Sequence, residues 1–232
     1  MIYQTVFRRH ELKYIISKEQ KEKILSVINK HMVLDKYGKM TISNLYFDTD
    51  NYRLIRHSIQ KPAYKEKLRV RSYQKVTSND LVFVEVKKKH ESMVYKRRVA
   101  IEYHKAMKWL CDNVDIGLNT QIEKEINYFK DYYENLKPHV YLAYDREAYS
   151  AIKEEDFRVT FDENIVWRQD DLSLEKEPYG HIILDENQVL MEIKTSEAIP
   201  LWMTKILSAE KIYKTTFSKY GQAYEEILNE ID

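Results

Sequence analysis

Apolar and polar residues alternate over much of the chain, which is the pattern of strands with one buried face. Eight segments rich in Val, Ile, Tyr and Phe are predicted to be strands: 3–15, 41–48, 63–75, 80–89, 93–102, 139–151, 157–167 and 188–195. Six further segments are predicted to be helices: 18–32, 49–59, 104–113, 121–136, 200–211 and 220–231. Two helices begin with capping-box spacings, Ser17 with Gln20 and Thr120 with Glu123. The stretch 168–187 is predicted to be a loop, and we expect one domain over residues 1–232.

The composition favours a folded protein and excludes several classes of function. Apolar residues make up 44% of the 232 residues, and 38 Lys and Arg offset 37 Asp and Glu to leave a net charge of +1. A general nucleic-acid binder is therefore not indicated. Gly-rich phosphate loops and His-based metal spacings are absent from the sequence, and a single cysteine, Cys111, excludes an intramolecular disulfide. Without an apolar run near 18 residues or a signal-peptide core, we expect a cytoplasmic protein with no membrane insertion of its own.

Positive charge is concentrated in two segments that the neutral total conceals. Residues 53–75 contain eight Lys and Arg against one acid, and residues 87–98 contain six against one. Within the predicted strand 63–75, four cations share one face: Lys65, Lys67, Arg69 and Arg71. Such a row requires an anion or full solvation, because neighbouring cations repel each other. The row indicates either a phosphate-binding strand or a solvated edge that discourages aggregation.

Three Glu-x-Lys pairs on predicted strands place an acid and a base on the same face. They are Glu11 with Lys13, Glu85 with Lys87, and Glu192 with Lys194. Val84 and Val86 flank Glu85, and Met191 and Ile193 flank Glu192, so the opposite face of these strands should be buried. Two arrangements fit this pattern: a two-layer sheet whose ion pairs face water, or a closed barrel lined with charge and covered outside by helices.

Further candidate anion-binding residues occur singly. Four predicted strand positions carry isolated cations: Lys96, Arg98, Arg146 and Arg158. Ser218 and Lys219 precede the last predicted helix, where a serine cap and a helix N-terminus could bind an anion. Each strand cation alone is more often a surface ion pair than a ligand, and an ordinary helix cap explains Ser218 and Lys219 equally well.

The order of nine short motifs is more specific than any one of them. They are ELKY, SNLYFDT, LRVRSY, FVEVK, YKRR, YDREAY, RVTFDENI, MEIKT and FSKYG, between about residues 4 and 224. This order resembles the VTC domain, the polyphosphate polymerase domain of the vacuolar transporter chaperone complex and its bacterial relatives. That family is part of the triphosphate tunnel metalloenzymes, or CYTH superfamily. The resemblance implies an α+β fold, in which an antiparallel β-barrel forms a charged tunnel with helices packed outside.

The resemblance also implies roles for individual residues. It implies one group of phosphate ligands that act in catalysis: Lys13, Arg69, Arg71, Lys87, Lys96, Arg146 and Arg158. Glu192 resembles the metal-binding glutamate, which would hold Mn²⁺ or Mg²⁺, and Lys194 shares its face and its catalytic role. Ser218 and Lys219 resemble the contacts to the terminal phosphate. Two positions depart from the pattern: Thr216 replaces a lysine of the polymerase, and Arg9 replaces the first acid of the superfamily's E-x-E-x-K motif.

The activity implied by the resemblance is polyphosphate synthesis. A metal-dependent polymerase would transfer the terminal phosphate of ATP, or of another triphosphate, to a growing inorganic polyphosphate chain. Phosphoryl transfer depends on charge neutralisation and in-line positioning, which a ring of cations and a metal could supply. Two alternatives stay open: a hydrolase of tripolyphosphate or nucleoside triphosphates, and a non-catalytic polyphosphate-binding module. The family's polymerases often work beside membrane proteins, so a membrane-protein partner could recruit the chain to the inner face of a membrane.

Overall fold

The computed structural model describes residues 6–7, 10–91, 93–153 and 156–231. Within them, the strands are β1 (Val6–Phe7), β2 (His10–Ser17), β3 (Met32–Leu34), β4 (Met40–Asp48), β5 (Tyr64–Ser72), β6 (Leu81–His90), β7 (Met93–Glu102), β8 (Lys137–Ala151), β9 (Arg158–Arg168), β10 (His181–Ile182) and β11 (Gln188–Thr195). The helices are α1 (Lys18–Ile28), α2 (Arg53–Ile59), α3 (Tyr103–Cys111), α4 (Gln121–Tyr133), α5 (Leu201–Ala209) and α6 (Lys219–Ile231). The predicted α+β class is confirmed.

All of these strands belong to one antiparallel sheet that curls on itself. The order is β1-β7-β6-β5-β4-β8-β9-β11-β2, with β3 paired to β8 and β10 to β9. The sheet does not close into the predicted barrel. Strand β7 meets β1 over two residues only, whereas β2 pairs with β11. The other edge of β2 is used at Lys13, whose carbonyl accepts a hydrogen bond from the Thr215 amide at 2.8 Å.

The convex face of the sheet is apolar, and helices cover it. Val70 and Val84 of adjacent strands lie in one buried cluster with Trp109 of α3 and Phe129 of α4. The second cluster joins β2, β9 and β11 to α1 and α5, through Ile16, Phe161, Met191, Ile24 and Met203. Because side chains alternate along a strand, the charged residues between these positions project to the concave face. The two-layer alternative with water-facing ion pairs therefore does not describe this sheet.

Helix α6 departs from the prediction that helices lie outside. Its Tyr220, Ala223 and Ile227 share a buried cluster with Ile42 of β4 and Leu142 of β8. Both strand residues alternate onto the concave face, so α6 packs against one end of the charged side. Its amphipathic pattern predicted a helix with one buried face, but the pattern carries no information about which face of the sheet it covers.

Asp48 fixes how α2 and α6 meet this end of the sheet. Its fully buried carboxylate accepts hydrogen bonds from the amides of Leu54 and Ile55 at 2.8 and 3.0 Å, and from the hydroxyl of Tyr220 at 3.0 Å. The carboxylate also lies at the N-terminus of α2, where negative charge is favoured. Asp48 of the SNLYFDT motif is thus a structural residue that links strand β4 to two helices.

Several predicted boundaries shift for local reasons. The Ser17–Gln20 capping box is complete, with reciprocal bonds of 3.0 and 2.9 Å, whereas Glu123 returns no bond to Thr120 and instead accepts from the Leu118 amide. The helix predicted over 49–59 begins only at Arg53, because the preceding Tyr52 has a left-handed backbone with φ of 56°. The predicted loop 168–187 contains the short strand β10. No helix of the described residues is long and apolar enough to span a membrane.

Candidate active site

Cross-strand pairing assembles cations of three strands into rows on the concave face. Lys67, Lys87 and Lys96 are direct neighbours across β5, β6 and β7. In the next row Glu85 lies between Arg69 and Arg98. Side chains opposite each other in an antiparallel sheet have Cβ atoms about 5 Å apart, and like charges at that distance are destabilising. The lysine row therefore stores electrostatic repulsion that a bound anion would relieve.

Strands β5, β6 and β7 form one wall of the concave face, and Glu85 is the main counter-charge on it. Its carboxylate is 1% exposed, and its Oε2 accepts hydrogen bonds from Nε and Nη2 of Arg69 at 2.8 and 2.7 Å. Its Oε1 lies 2.8 Å from Lys96 Nζ, without the alignment of a hydrogen bond, and Arg71 Nε lies 3.9 Å from Oε2. Although burial favours the neutral acid, these cations hold the pKa of Glu85 well below its usual range. One carboxylate thus serves three cations.

The remaining lysine charge on this wall is poorly compensated. Loss of water, with Arg69 and Arg71 nearby, lowers the pKa of Lys96 to about 7 even though Glu85 opposes the change. Loss of water, with Lys13, Lys87 and Lys65 nearby, lowers the pKa of Lys67 to about 8. The pKa of a lysine is lowered in this way where the loss of water and the nearby cations outweigh the available counter-charge. This wall is therefore prepared for an anion with several negative charges.

Two tyrosines and an asparagine orient the arginines of β5. Arg69 donates from Nη1 to the Tyr46 hydroxyl at 3.0 Å, and Arg71 donates from Nη2 to the Tyr144 hydroxyl at 3.2 Å. Arg71 also donates from Nε to Asn44 Oδ1 at 3.0 Å. Burial would raise the pKa of Tyr46, but Arg69, Lys67 and Arg71 lower it to about 8. Each guanidinium is held between hydrogen-bond acceptors and so faces the concave space in a fixed orientation.

Strands β8, β9 and β11 form the opposite wall, and Asp162 of β9 binds two of its cations. Its fully buried carboxylate accepts two hydrogen bonds of 2.6 Å from Nε and Nη2 of Arg146 and one from Lys219 at the start of α6. These two cations outweigh the effect of burial and lower the pKa of Asp162. Ser218, one residue before Lys219, caps α6 by accepting from the Gly221 amide at 3.1 Å, and Lys67 donates to its hydroxyl at 3.4 Å. The beginning of α6 therefore connects the two walls.

Glu192 lies between the two walls beside a second acid. It is 6% exposed, with Lys194 at 3.3 Å and Arg146 at 3.7 Å, and Lys13 is its neighbour across the β2–β11 pair. The side chain of Glu11 lies within hydrogen-bonding range of Glu192. Burial opposes ionisation, but Lys194, Lys13 and Arg146 together lower the pKa of Glu192 well below its usual range. Glu192 is therefore an ionised carboxylate inside a cationic site.

The donors around Glu192 fit a divalent cation such as Mg²⁺ or Mn²⁺. Such ions are bound in phosphate enzymes by one or two carboxylates together with substrate oxygens. Glu192 and Glu11 offer two carboxylates. Thr160, across the β9–β11 pair from Glu192, has a buried hydroxyl with no hydrogen-bond partner among the described residues. Those residues include no group of three His, Cys, Asp or Glu side chains able to hold a metal unaided, so substrate oxygens would complete the coordination.

Most of the predicted site residues share the concave face, and one, the cross-strand neighbour of Lys194, turns to its rim. The residues brought together are Lys13, Arg69, Arg71, Lys87, Lys96, Arg146, Glu192, Lys194, Ser218 and Lys219. Arg158 is exposed at the rim and pairs with Asp35 at 3.3 Å. Lys87 is half-exposed and lies 3.5 Å from Glu11, which brings β6 close to β2 across the open seam. Thr216 is exposed, as is nearby Lys214. The Arg9 prediction lies outside the described residues.

Comparison with known proteins agrees with this geometry. The family model for the VTC domain matches residues 8–228. The chain belongs to the VTC domain family. No curated protein matches it.

Solved structures with the same fold are distant in sequence from this VTC domain. A candidate adenylate cyclase of Bacillus halodurans superposes with a TM-score of 0.60 at 15% identity, covering 93% of this chain and 96% of that one. HpAC1 of Hippeastrum, a candidate adenylyl cyclase with a dominant triphosphatase activity, superposes with a TM-score of 0.54 at 14% identity. That match covers 94% of this chain and 93% of HpAC1. The expected triphosphate-tunnel fold is confirmed, with a curled rather than a closed sheet.

Sequence reasoning missed the residues that hold the VTC domain's cations in place. Glu85 was noted for its face, but neither Glu85 nor Asp162 was identified as an acid that serves several cations. Tyr46, Tyr144 and Asn44 were not identified. Their partners lie on other strands, so their roles depend on strand register. The available signal was a polar or aromatic residue at an inward position of a strand whose other face is apolar.

Proposed function

We propose that this VTC domain is a metal-dependent polyphosphate polymerase that uses ATP and acts as one tunnel domain over residues 1–232. The observation that carries the proposal is the surplus of cations on the concave face, where Lys67 and Lys96 have pKa values lowered to about 8 and 7. A site this rich in positive charge favours a ligand with many closely spaced negative charges. Linear polyphosphate, or the triphosphate of a nucleotide, has that character.

Each wall of the concave face would bind phosphate oxygens. Arg69 and Arg71 would bind phosphate oxygens on one wall, and Arg146 with Lys219 would bind them on the other. Arginine suits this role, since its planar fork can donate two parallel hydrogen bonds to one phosphate. Holding donor and acceptor phosphates in line converts the encounter into a step within one complex. The Asp162 carboxylate keeps the second pair of cations oriented while the site is empty of phosphate.

The transfer would break the bond between the γ-phosphorus of ATP and its bridging oxygen, and form a bond to the terminal oxygen of the polyphosphate chain. ADP would leave with the bridging oxygen. Glu192 and Glu11 would hold the Mg²⁺ or Mn²⁺, which when bound neutralises charge on the phosphate oxygens. Lys194 and Lys13, beside these carboxylates, would bind the same phosphates. No covalent intermediate with the protein is required.

Hydrolysis of a triphosphate is the second candidate, and the activity of HpAC1 favours it. Hydrolysis requires a group that accepts a proton from water, and a free carboxylate would be the natural base. Four acids of the described concave face are engaged by cations: Glu11, Glu85, Asp162 and Glu192. This engagement supports transfer to an acceptor that is already ionised, such as the end of a polyphosphate chain. A non-catalytic binding module remains the third alternative.

One experiment separates the three candidates. The protein is incubated with ATP and Mn²⁺ or Mg²⁺, and the products are resolved on a polyphosphate gel. Long chains support the polymerase, orthophosphate or pyrophosphate without chains supports the hydrolase, and unchanged ATP supports the binding module. Glu192→Gln should lower turnover at least about a hundredfold, because it removes the anionic metal ligand but keeps the side chain's size.

A matched control for Glu192→Gln is available on the convex face. Glu66 is also buried, at 8% exposure, and also lies near a lysine, with Lys88 at 3.8 Å. Glu66→Gln should therefore leave turnover per folded molecule unchanged. Equal loss in both variants would assign the effect to folding rather than to the site. A cytoplasmic location and a membrane-protein partner also belong to this proposal, and fractionation with affinity capture from the native cell would test them.

A further inference from the structure

An aromatic and arginine cluster lies on the concave face, next to Glu85 along β6. Phe83 of β6 is in the row directly after Glu85, opposite Arg71 of β5 and Ala100 of β7. Tyr73, just after β5, meets its ring edge-on, with centroids 5.6 Å apart at 81°. Unlike the buried valines between which it alternates, Phe83 is partly exposed. An aromatic ring at an inward position beside the phosphate-binding arginines has no role in the site described above.

Arg98 joins this cluster to the cationic rows. Its guanidinium carbon lies 4.7 Å from the centroid of Phe83, and its Nη1 donates to the Tyr73 hydroxyl at 3.4 Å. Glu85, the partner of Arg69 and Lys96, is its cross-strand neighbour. The Phe83 ring therefore lies directly across from Arg71 and one inward position along β6 from the neighbour of Arg69. A ligand that touches Phe83 with one end can reach Arg69 or Arg71 with the other.

The open side of the ring is defined by its neighbour on β7. Ala100 is exposed and has only a methyl group, so this described cross-strand neighbour does not cover the Phe83 ring. Elsewhere on the concave face, α6 covers inward side chains of β4 and β8. Tyr73 packs against this buried cluster, whereas Phe83 is partly exposed, so a nucleotide base could reach the Phe83 ring.

We propose that Phe83, Tyr73 and Arg98 form the binding site for the nucleobase of the triphosphate substrate. The base would stack on the exposed part of the Phe83 ring, Arg98 would remain against the ring, and the triphosphate would extend to Arg69 and Arg71. Aromatic side chains bind bases in this way because every base has a π-face, and an adjacent arginine strengthens the stack. This inference rests on the proposed use of a nucleoside triphosphate. It adds the residues that would distinguish a nucleoside triphosphate from an inorganic phosphate chain.

The test compares two ligands that share the triphosphate and differ in the base. Affinities for ATP and for inorganic tripolyphosphate are measured by calorimetry in EDTA, where no turnover occurs, for the wild type, Phe83→Ala and Phe83→Trp. Phe83→Ala should lose about 5- to 150-fold in ATP affinity, the range for one base–aromatic stack, and keep its tripolyphosphate affinity within about twofold. Phe83→Trp should retain ATP affinity. The exposed Tyr128 on α4, replaced by alanine, is the aromatic control and should change neither affinity.

Each outcome has a defined meaning. Unchanged ATP affinity in Phe83→Ala overturns the base site. Equal loss for both ligands, with folding checked by circular dichroism, overturns it as well and makes Phe83 a packing residue of the strand end. If the wild type binds tripolyphosphate but not ATP, the base site is wrong and a role in binding phosphate chains survives. If it binds neither, the proposed function fails together with the base site.

Discussion

Glu85→Gln most directly tests whether a buried carboxylate stabilises the concave face by compensating its cations. Glu85 neutralises Arg69 and Lys96 at 2.7–2.8 Å from a position that is 1% exposed. Removing one partner from a buried ion pair costs about 3–5 kcal/mol, because the other charge is left without compensation. For a protein of this size, about 1 kcal/mol corresponds to 2–4 °C in Tm, so Tm should fall by about 6–20 °C. Deprotonation of Lys96 would limit the loss.

Polyanion binding should reverse this destabilisation. In Glu85→Gln, a bound tripolyphosphate supplies the negative charge that the variant lacks. The missing carboxylate also no longer repels the ligand. Ligand binding to the native state adds stability in proportion to the logarithm of ligand concentration over Kd, about 2.7 kcal/mol at 100-fold excess over Kd. Tripolyphosphate should therefore raise the Tm of Glu85→Gln by more than it raises the Tm of the wild type.

Differential scanning fluorimetry with a tripolyphosphate titration measures both effects. Glu66→Gln on the convex face is the control, and there the ligand-dependent rise in Tm should equal that of the wild type. Suppose that Glu85→Gln is folded and less stable, yet tripolyphosphate raises its Tm no more than that of the wild type. Glu85 would then be an ordinary structural ion pair, and the interpretation of the lysine and arginine rows as an anion site would be refuted.

Three further predictions follow from the same charges. Polyphosphate affinity should fall about a thousandfold between 50 and 200 mM salt if about seven cations contact phosphate, measured by fluorescence anisotropy, and a shallow dependence would contradict the clustered site. Arg69→Ala should weaken polyphosphate binding about ten- to a hundredfold, whereas Lys75→Ala, which removes an exposed partner of Glu177, should not. Because Lys96 and Lys67 have pKa values lowered to about 7 and 8, binding at pH 8 should take up protons and affinity should fall as pH rises above 7. Calorimetry in buffers of different ionisation enthalpy measures that uptake, and no buffer dependence would argue against it.

The sequence was sufficient for the elements and for the two faces of each strand. Alternation placed Arg69 and Arg71 on one face, with Leu68 and Val70 on the other, and both assignments are confirmed by the buried cluster of the convex side. These features are local, since the face to which a strand side chain points depends only on whether its position in the strand is odd or even. The motif order also identified the correct family, because it samples the inward positions of most strands.

What the sequence could not provide depends on register between distant strands. Glu85 compensates Arg69, which is 16 residues away, and Asp162 compensates Lys219, 57 residues away. Shifting one strand by a single residue would turn each acid to the other face, and no local pattern fixes that choice. Arg158 was grouped with the site by the family resemblance, and the pattern of its strand does not show which partner its side chain takes. It is the cross-strand neighbour of Lys194, but its side chain is exposed and pairs with Asp35 at the rim.

The position of α6 follows from the requirement that each buried charge have a partner. An apolar helix placed against a cationic face would leave charges without water, a cost that the protein avoids by beginning α6 with Ser218 and Lys219. Lys219 pairs with Asp162, Ser218 accepts from Lys67, and Lys13 donates to the carbonyl of Phe217 at 2.8 Å. The apolar residues that follow then cover the inward residues of β4 and β8 that carry no charge. Helix α6 can therefore close one end of the concave face only because its first residues are polar, and those residues are also the ones that a phosphate chain would meet there.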